Sequence, residues 1–407
     1  MKIISANWIV TCDENNSIIK NGAVVFNDKI EEINTLSNIE KKYPNIEIEK
    51  LPENSVLMPG LINSHVHLEF SGNTTTLKYG NFYSWLTSVI KHREDLITMA
   101  NTQLILSKLN KMKRTGTTTI GAISSYSYDL DACVKSPLNK VFFCEVIGTK
   151  GDMIDTLFAD FKDRLNIARK HKSANFIPAI AIHSPYSVHP FLVRETLKLA
   201  REENLPVTSH FLESQEEFEW LHKDEGAFVE FFKNFLNQEQ AVTKPMEFLN
   251  LFSNIKNLSF THCVEASAAD LEKIKLLGAS INHCVTSNRL LNNTKLDLEK
   301  LKDIPFTIGT DGLSSNNSLS MFDELRNVLM IHSNENIVDF SKILLKAATL
   351  NAAKALGLNK GSLEKDLDSD MIVFTLPDEV EDMDDLAMQI ILHTKFMDKV
   401  IIGGEFV

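Results

Sequence analysis

Residues 56–69 read Val-Leu-Met-Pro-Gly-Leu-Ile-Asn-Ser-His65-Val-His67-Leu-Glu. A short apolar run closed by polar residues predicts a buried strand. Side chains at i and i+2 of a strand point to one face, so His65 and His67 present two imidazoles side by side where the strand ends. Neutral imidazole is the commonest protein ligand for zinc and similar divalent metals. A lone His-x-His is as readily a hydrogen-bonded core feature, so its meaning depends on what else the chain supplies.

Working outward, short apolar stretches alternate with long helical ones. Eight strands are expected, at 56–65, 116–124, 141–147, 177–183, 206–212, 258–264, 279–285 and 305–311. Near-continuous apolar strands such as Ile177-Pro-Ala-Ile-Ala-Ile182 suit a parallel sheet buried on both faces. Helix-like sequence follows most of them, as in Phe191–Glu203. Eight β–α units over about 300 residues predict an α/β fold of the (β/α)8 TIM-barrel type. The ends differ. Residues 1–55 and 366–407 carry short alternating strands and turns, and are expected to join into one small β-sandwich domain beside a barrel of residues 56–365. The segment 230–257 reads as an inserted helical region.

Composition narrows the function classes. The 407 residues are 43% hydrophobic and 24% charged with a formal net charge of −12, as for an ordinary soluble domain pair. No Lys/Arg block stands out, which argues against nucleic-acid binding. No apolar stretch approaches the roughly 20 residues of a membrane span, and the first residues lack the apolar core of a signal peptide. Five scattered cysteines without a C-x-x-C pair suit a reducing compartment and argue against a zinc ribbon. A cytoplasmic enzyme is expected, with a homodimer as the base-rate assembly.

In such a barrel the active site lies at the C-terminal ends of the strands. Those ends carry His65 and His67, His183, His210 with Glu213, His262, and Asp311. Five of the 12 histidines fall at these positions, which argues against coincidence.

At these residues the chain resembles the amidohydrolase superfamily. It is most similar to the branch holding methylthioadenosine/S-adenosylhomocysteine deaminases, guanine deaminase and triazine chlorohydrolases. The matching motifs are Pro59-Gly60-Leu61-Ile62-Asn63-Ser64-His65-Val66-His67, His183-Ser-Pro-Tyr186, His210-x-x-Glu213, Thr261-His262, Ser287-Asn288 and Thr310-Asp311-Gly312. Within that branch His210–Leu221, Val285–Leu291 and Thr310–Leu319 resemble the 6-aminodeoxyfutalosine deaminase group.

The resemblance implies one divalent metal, Zn or Fe, held by His65, His67, His210 and Asp311. Binuclear relatives place a carbamylated lysine where this chain has His183, so a single ion is expected. It also implies roles: Asp311 relays a proton, His262 orients the attacking oxygen without binding metal, and Glu213 protonates a ring nitrogen. The implied reaction is hydrolytic loss of the 6-amino group of an adenine nucleoside. The preferred substrate is 6-aminodeoxyfutalosine, of menaquinone biosynthesis. Adenosine, methylthioadenosine and S-adenosylhomocysteine come next, then guanine deamination or triazine dechlorination. Expected substrate contacts are His183, Trp85, Ser84, Asn288 and Arg289. Ser84 stands where the methylthioadenosine deaminases carry an acid for the ribose, which puts that contact in doubt. Lys78, Lys150 and Arg289 are candidate partners for an anionic tail. Glu145 is expected to face the barrel in a hydrogen-bonded role, and His283 to be structural.

Overall fold

A computed structural model describes residues 1–72 and 75–407. Two eight-stranded sheets organise it. The first joins both termini: β1 (Lys2–Val10), β2 (Ile18–Phe26), β3 (Ile30–Thr35), β4 (Glu49–Lys50) and β5 (Ser55–Pro59), with β14 (Met371–Thr375), β15 (Lys399–Ile402) and β16 (Glu405–Phe406). Alternation decides its faces. Ile4, Ala6, Val24 and Phe26 bury on one side, while Ile3, Ala23 and Val25 meet Ile39 on the other.

The second sheet is the barrel. It runs β6 (Leu61–Val66), β7 (Thr117–Ser124), β8 (Asn139–Val146), β9 (Phe176–Ile182), β10 (Val207–Phe211), β11 (Leu258–His262), β12 (Ser280–His283) and β13 (Phe306–Ile308), each paired in parallel with the next. The first and last strands meet through Asp311 N–H to His65 O at 3.0 Å and Ser64 Oγ–H to Ile308 O at 2.9 Å. A Cβ on Gly309 would stand 2.9 Å from the His65 Cβ, so only glycine lets the two ends approach this closely.

The expected strand 56–65 is two strands. β5 pairs with β1 and β14 in the terminal sheet, and β6 opens the barrel. We therefore propose a domain division at Gly60, with the return at 366. The expected helical insertion is present as helices Ala227–Leu236 and Pro245–Asn250. Among the described residues no helix is long and apolar enough to cross a membrane.

Inside the barrel, side chains sort by parity. On β8, Phe142, Cys144 and Val146 join the outer core beneath the helices, whereas Val141 and Phe143 join the interior cluster. That interior cluster rests on Ala352, Ala353 and Leu356 of helix Leu350–Leu356, which closes the barrel's lower end. Above it lies a hydrogen-bonded polar layer in which Asn282 bonds Thr261, Ser259 and Thr307, and Ser64 bonds Thr307. Each of these groups has a partner, which is the condition for burying it. The rim above is where the strand-end histidines gather.

Candidate active site

Three imidazole nitrogens converge at the mouth. His65 Nε2 lies 3.1 Å from His67 Nε2, which lies 3.2 Å from His210 Nε2. Asp311 Oδ1 completes the group, 3.5 Å from His67 Nε2 and 3.8 Å from His65 Nε2. A tetrahedral zinc with bonds of about 2.1 Å sets its ligand atoms roughly 3.4 Å apart. The four contacts at 3.1–3.8 Å fall near that spacing.

The outer contacts of these groups point their lone pairs inward. His210 Nδ1 donates to the His183 carbonyl at 2.8 Å, which leaves Nε2 as a bare lone pair facing the cluster. His65 Nδ1 is held by Thr261 Oγ1 at 3.2 Å. Asp311 Oδ2 accepts from Ser287 and Ser315, each at 2.7 Å, so Oδ1 is the oxygen left for the cage. Burial, and then the neighbouring imidazoles, hold His65 well below the usual imidazole range and His210 down to about 3. Burial raises the Asp311 carboxyl, but the imidazoles of His67, His262 and His65 outweigh it and keep the group ionised. Neutral nitrogens and one carboxylate are the donor set that zinc or ferrous iron takes.

Beside the cage stand two further groups. His262 Nδ1 bonds Asn288 Oδ1 at 2.8 Å, while its Nε2 is buried without a hydrogen-bond partner, 3.5 Å from Glu213 Oε1. Glu213, His262 and Asp311 lie close enough to act on one bound atom. Burial, then the Asp311 and Glu217 carboxylates, push the Glu213 carboxyl well above its usual range. The Glu213 N–H in turn donates to Glu217 Oε2 at 2.8 Å.

Backbone strain collects at this rim. Leu212, His262, Cys263 and Asp311 have φ of 46°, 72°, 51° and 56°. Such left-handed backbone costs a non-glycine residue on the order of 1–3 kcal/mol and persists where surrounding contacts hold it. It has a use here. By parity with the outward Phe260, His262 belongs to the outer face of β11. The left-handed turn re-aims it into the mouth.

The other expected contacts divide. His183 Nδ1 bonds Ser187 Oγ at 2.5 Å and its ring lies 5.1 Å from that of His210. Trp85 sits in helix Phe82–Met99 with Nε1 donating to Ser314 O at 2.7 Å, beside the Asp311 loop. Ser84 takes part in that helix's cap, its N–H bound to Asn81 Oδ1. Asn288 serves His262 rather than open space. Arg289 is not brought to the cluster: it is exposed and bonds Asn293. Glu145 faces the barrel as expected, bonded to Ser125 Oγ, with Oε1 3.9 Å from His210 Nδ1. His283 ends β12 and pairs with His332.

Sequence reasoning missed Glu69, two residues beyond His67. Its carboxylate accepts from the backbone N–H groups of Ser125, Tyr126 and Tyr128 at 2.7–3.1 Å. The signal was the continued i, i+2 spacing of His65-x-His67-x-Glu69. Thr261, Ser287 and Ser315, which orient ligands, stand inside the matched stretches, but nothing in the sequence assigned them that role.

With this geometry in view, comparisons become informative. The Amidohydrolase family model matches residues 56–407. An aminodeoxyfutalosine deaminase of a Nitratiruptor species is 45% identical over 405 residues, covering 100% of this chain and 99% of the relative. An adenosine deaminase of Helicobacter pylori is 34% identical over 414 residues, covering 99% of each. The crystal structure of Helicobacter pylori aminofutalosine deaminase in complex with methylthio-coformycin superposes with a TM-score of 0.95 at 32% identity, covering 100% of both chains. The barrel, its rim and these full-length matches agree: the chain belongs to the amidohydrolase family.

Proposed function

We propose that this amidohydrolase is a hydrolytic deaminase that removes the 6-amino group of an adenine nucleoside derivative, with His65, His67, His210 and Asp311 holding one divalent metal, Zn or Fe. The observation that carries this reading is the run of contacts from His210 Nε2 through His67 Nε2 to His65 Nε2 and Asp311 Oδ1, at 3.1–3.8 Å, next to the unpartnered Nε2 of His262 and the buried Glu213.

When bound, a divalent metal supplies Lewis acidity that brings the ionisation of water from a pKa of about 15.7 toward about 7. The remaining work falls to the chain. Asp311, its Oδ2 fixed by two hydroxyls, takes the proton of the attacking water and passes it to the departing amine. His262 orients the attacking water: its Nδ1–H is spent on Asn288 Oδ1, which sets the ring's angle and leaves Nε2 to accept the water's O–H. Glu213 gives its proton to the adjacent ring nitrogen, which makes an aromatic amidine carbon open to attack. As the C–N bond breaks, the added hydroxyl gives its proton back to Glu213, so one water enters and a 6-oxo nucleoside and ammonia leave.

Among adenine nucleosides we infer 6-aminodeoxyfutalosine as the substrate, placing the enzyme in the cytoplasm and in menaquinone synthesis. The full-length likeness to the Nitratiruptor and Helicobacter proteins supports this reading. Adenosine, methylthioadenosine and S-adenosylhomocysteine form the second reading, supported by the adenosine deaminase likeness. Ammonia release by metal-loaded protein from a panel of these nucleosides, with guanine and a chlorotriazine included, tests it. The expected order puts 6-aminodeoxyfutalosine first, and no release from any adenine nucleoside refutes the proposal.

A further inference from the structure

A cleft of about 400 Å³ opens on the same rim, between the ends of β7 and β8. Arg93, Ser125, Tyr126, Tyr128, Glu145 and Arg164 line it. Its inner wall is Glu145, whose Oε1 lies 3.9 Å from His210 Nδ1, so the cleft adjoins the outer edge of that imidazole. Its outer wall is cationic and aromatic. The Arg93 guanidinium lies 4.6 Å over the Tyr126 ring, and the Tyr126 and Tyr128 rings stack with centroids 5.6 Å apart.

Two polar atoms in this wall are buried without partners: Arg164 Nη1 and Glu145 Oε1. Arg164 is otherwise engaged, by Nε to Asp160 and by Nη2 to the Glu145 carbonyl, so its position is set while one N–H remains free. A buried unpaired donor and acceptor each cost free energy in the empty protein, and both are satisfied when a ligand supplies the complement.

The wall is also firmly held. Ser127 has φ of 65°, and its loop is pinned by Ser124 Oγ and by the backbone N–H groups that Glu69 accepts. Glu69 lies two residues past His67, so one segment fastens both the metal histidines and the cleft. Strain kept in place by a buried carboxylate is typical of a working surface.

Helix Phe82–Met99 carries Arg93 across the mouth. Near its start Trp85 bonds the Ser314 carbonyl on the far side of the rim, and Asn81 reaches Glu216.

We propose that this cleft is the subsite for the end of the nucleoside remote from the reacting carbon, and that it takes a carboxylated aryl group. Tyr126 and Tyr128 would stack on the ring, Arg93 and Arg164 Nη1 would meet the carboxylate, and Glu145 Oε1 would accept a ribose hydroxyl. The inference rests on the nucleoside deaminase reading and deepens it; it moves the tail contact from Lys78, Lys150 and Arg289 to Arg93 and Arg164.

The test compares kcat/KM for an adenine nucleoside bearing a 5′ carboxyaryl group with that for its methyl ester. The wild type is expected to prefer the acid. Arg93→Gln lowers that preference by about 10- to 100-fold, mostly through KM, the worth of a charge-assisted hydrogen bond. Arg194→Gln, at an exposed arginine stacked on Phe191, leaves the preference in place. Calorimetric titration with the 6-oxo product carrying the same carboxyaryl group needs no turnover, and Arg93→Gln weakens its binding by a similar factor. Wild-type protein that deaminates adenosine yet shows no acid preference overturns the subsite and spares the deaminase. Protein that deaminates nothing overturns the deaminase, and the titration then decides the subsite: no binding, or equal binding by Arg93→Gln, refutes it.

Discussion

Two groups of buried histidines lie in this protein, and they differ in kind. At the rim, His67 Nε2 stands 3.1 Å from His65 Nε2 and 3.2 Å from His210 Nε2, with a carboxylate beside them. Between β12 and helix Met321–Ile331, His283 Nε2 and His332 Nε2 meet at 3.0 Å, and His283 Nδ1 has no partner. The contact distances are alike. Parity separates them. Asn282 points into the barrel's polar layer, so His283 points out toward the helices. Among the described residues it meets one imidazole and no carboxylate, so one ring donates and the other accepts. The rim group has more lone pairs than protons to share, which is the condition that a cation relieves. A short imidazole contact alone does not mark a metal centre; a third nitrogen, an anion and outer contacts that fix each tautomer do.

Removing a member of each group is the sharpest way to break this comparison. His210→Ala is expected to lose metal and abolish turnover, as measured by elemental analysis and ammonia release; full metal content in that variant would refute the cage. His283→Leu should keep metal and activity while losing about 1–3 kcal/mol of unfolding free energy, the cost of stranding the His332 nitrogen. Denaturant titration of both proteins reads this directly.

Next in size are the groups beside the cage. Glu213→Gln retains metal and loses about 10²- to 10⁴-fold in kcat, as for a general acid. Normal turnover would assign the proton to another group. Asn288→Ala acts through the His262 ring and should lower kcat by about 10- to 100-fold with metal retained. Rescue by Asn288→Asp would show that an acceptor at His262 Nδ1 is what matters.

A last effect, on stability alone, concerns Glu324, whose carboxylate accepts from Thr286 N–H and Oγ and from Asn316, behind the Asp311 loop. Burial pushes it up to about 7. A carboxyl with a raised folded pKa contributes its stability below the unfolded value near 4.5 and loses it as pH rises through 7. The melting temperature of the wild type relative to Glu324→Gln should therefore fall between pH 4.5 and 8, by up to the order of 3 kcal/mol in free-energy terms. A flat difference across that range would mean that Glu324 stays ionised in the fold.

Much of the site is legible in the chain because a barrel puts its chemistry at strand ends, and those ends are visible as polar residues closing apolar runs. His65, His67, His210, His262, Glu213 and Asp311 are all found in that way. The stretch 56–65 reads as one strand because β5 and β6 are both buried and both apolar, and periodicity cannot say which sheet a buried strand joins. Arg289 looks available as a polar neighbour of Asn288, yet one step along a helix turns a side chain by about 100°, from the mouth to solvent. His262 shows the opposite case, where a left-handed backbone overrides strand parity.

The sequence by itself determined the order of β–α units, the paired sheet at the termini and the residue types at each strand end. These follow from local period and burial, which act over a few residues. Tertiary structure alone decided that His210 Nε2 faces His67 across 143 positions of chain, that Ser287 and Ser315 turn Asp311, and that Glu69 fastens the Tyr126 loop beneath Arg93. Each of those contacts joins segments whose spacing is set by barrel closure, a property of the whole sheet that no single stretch of sequence contains.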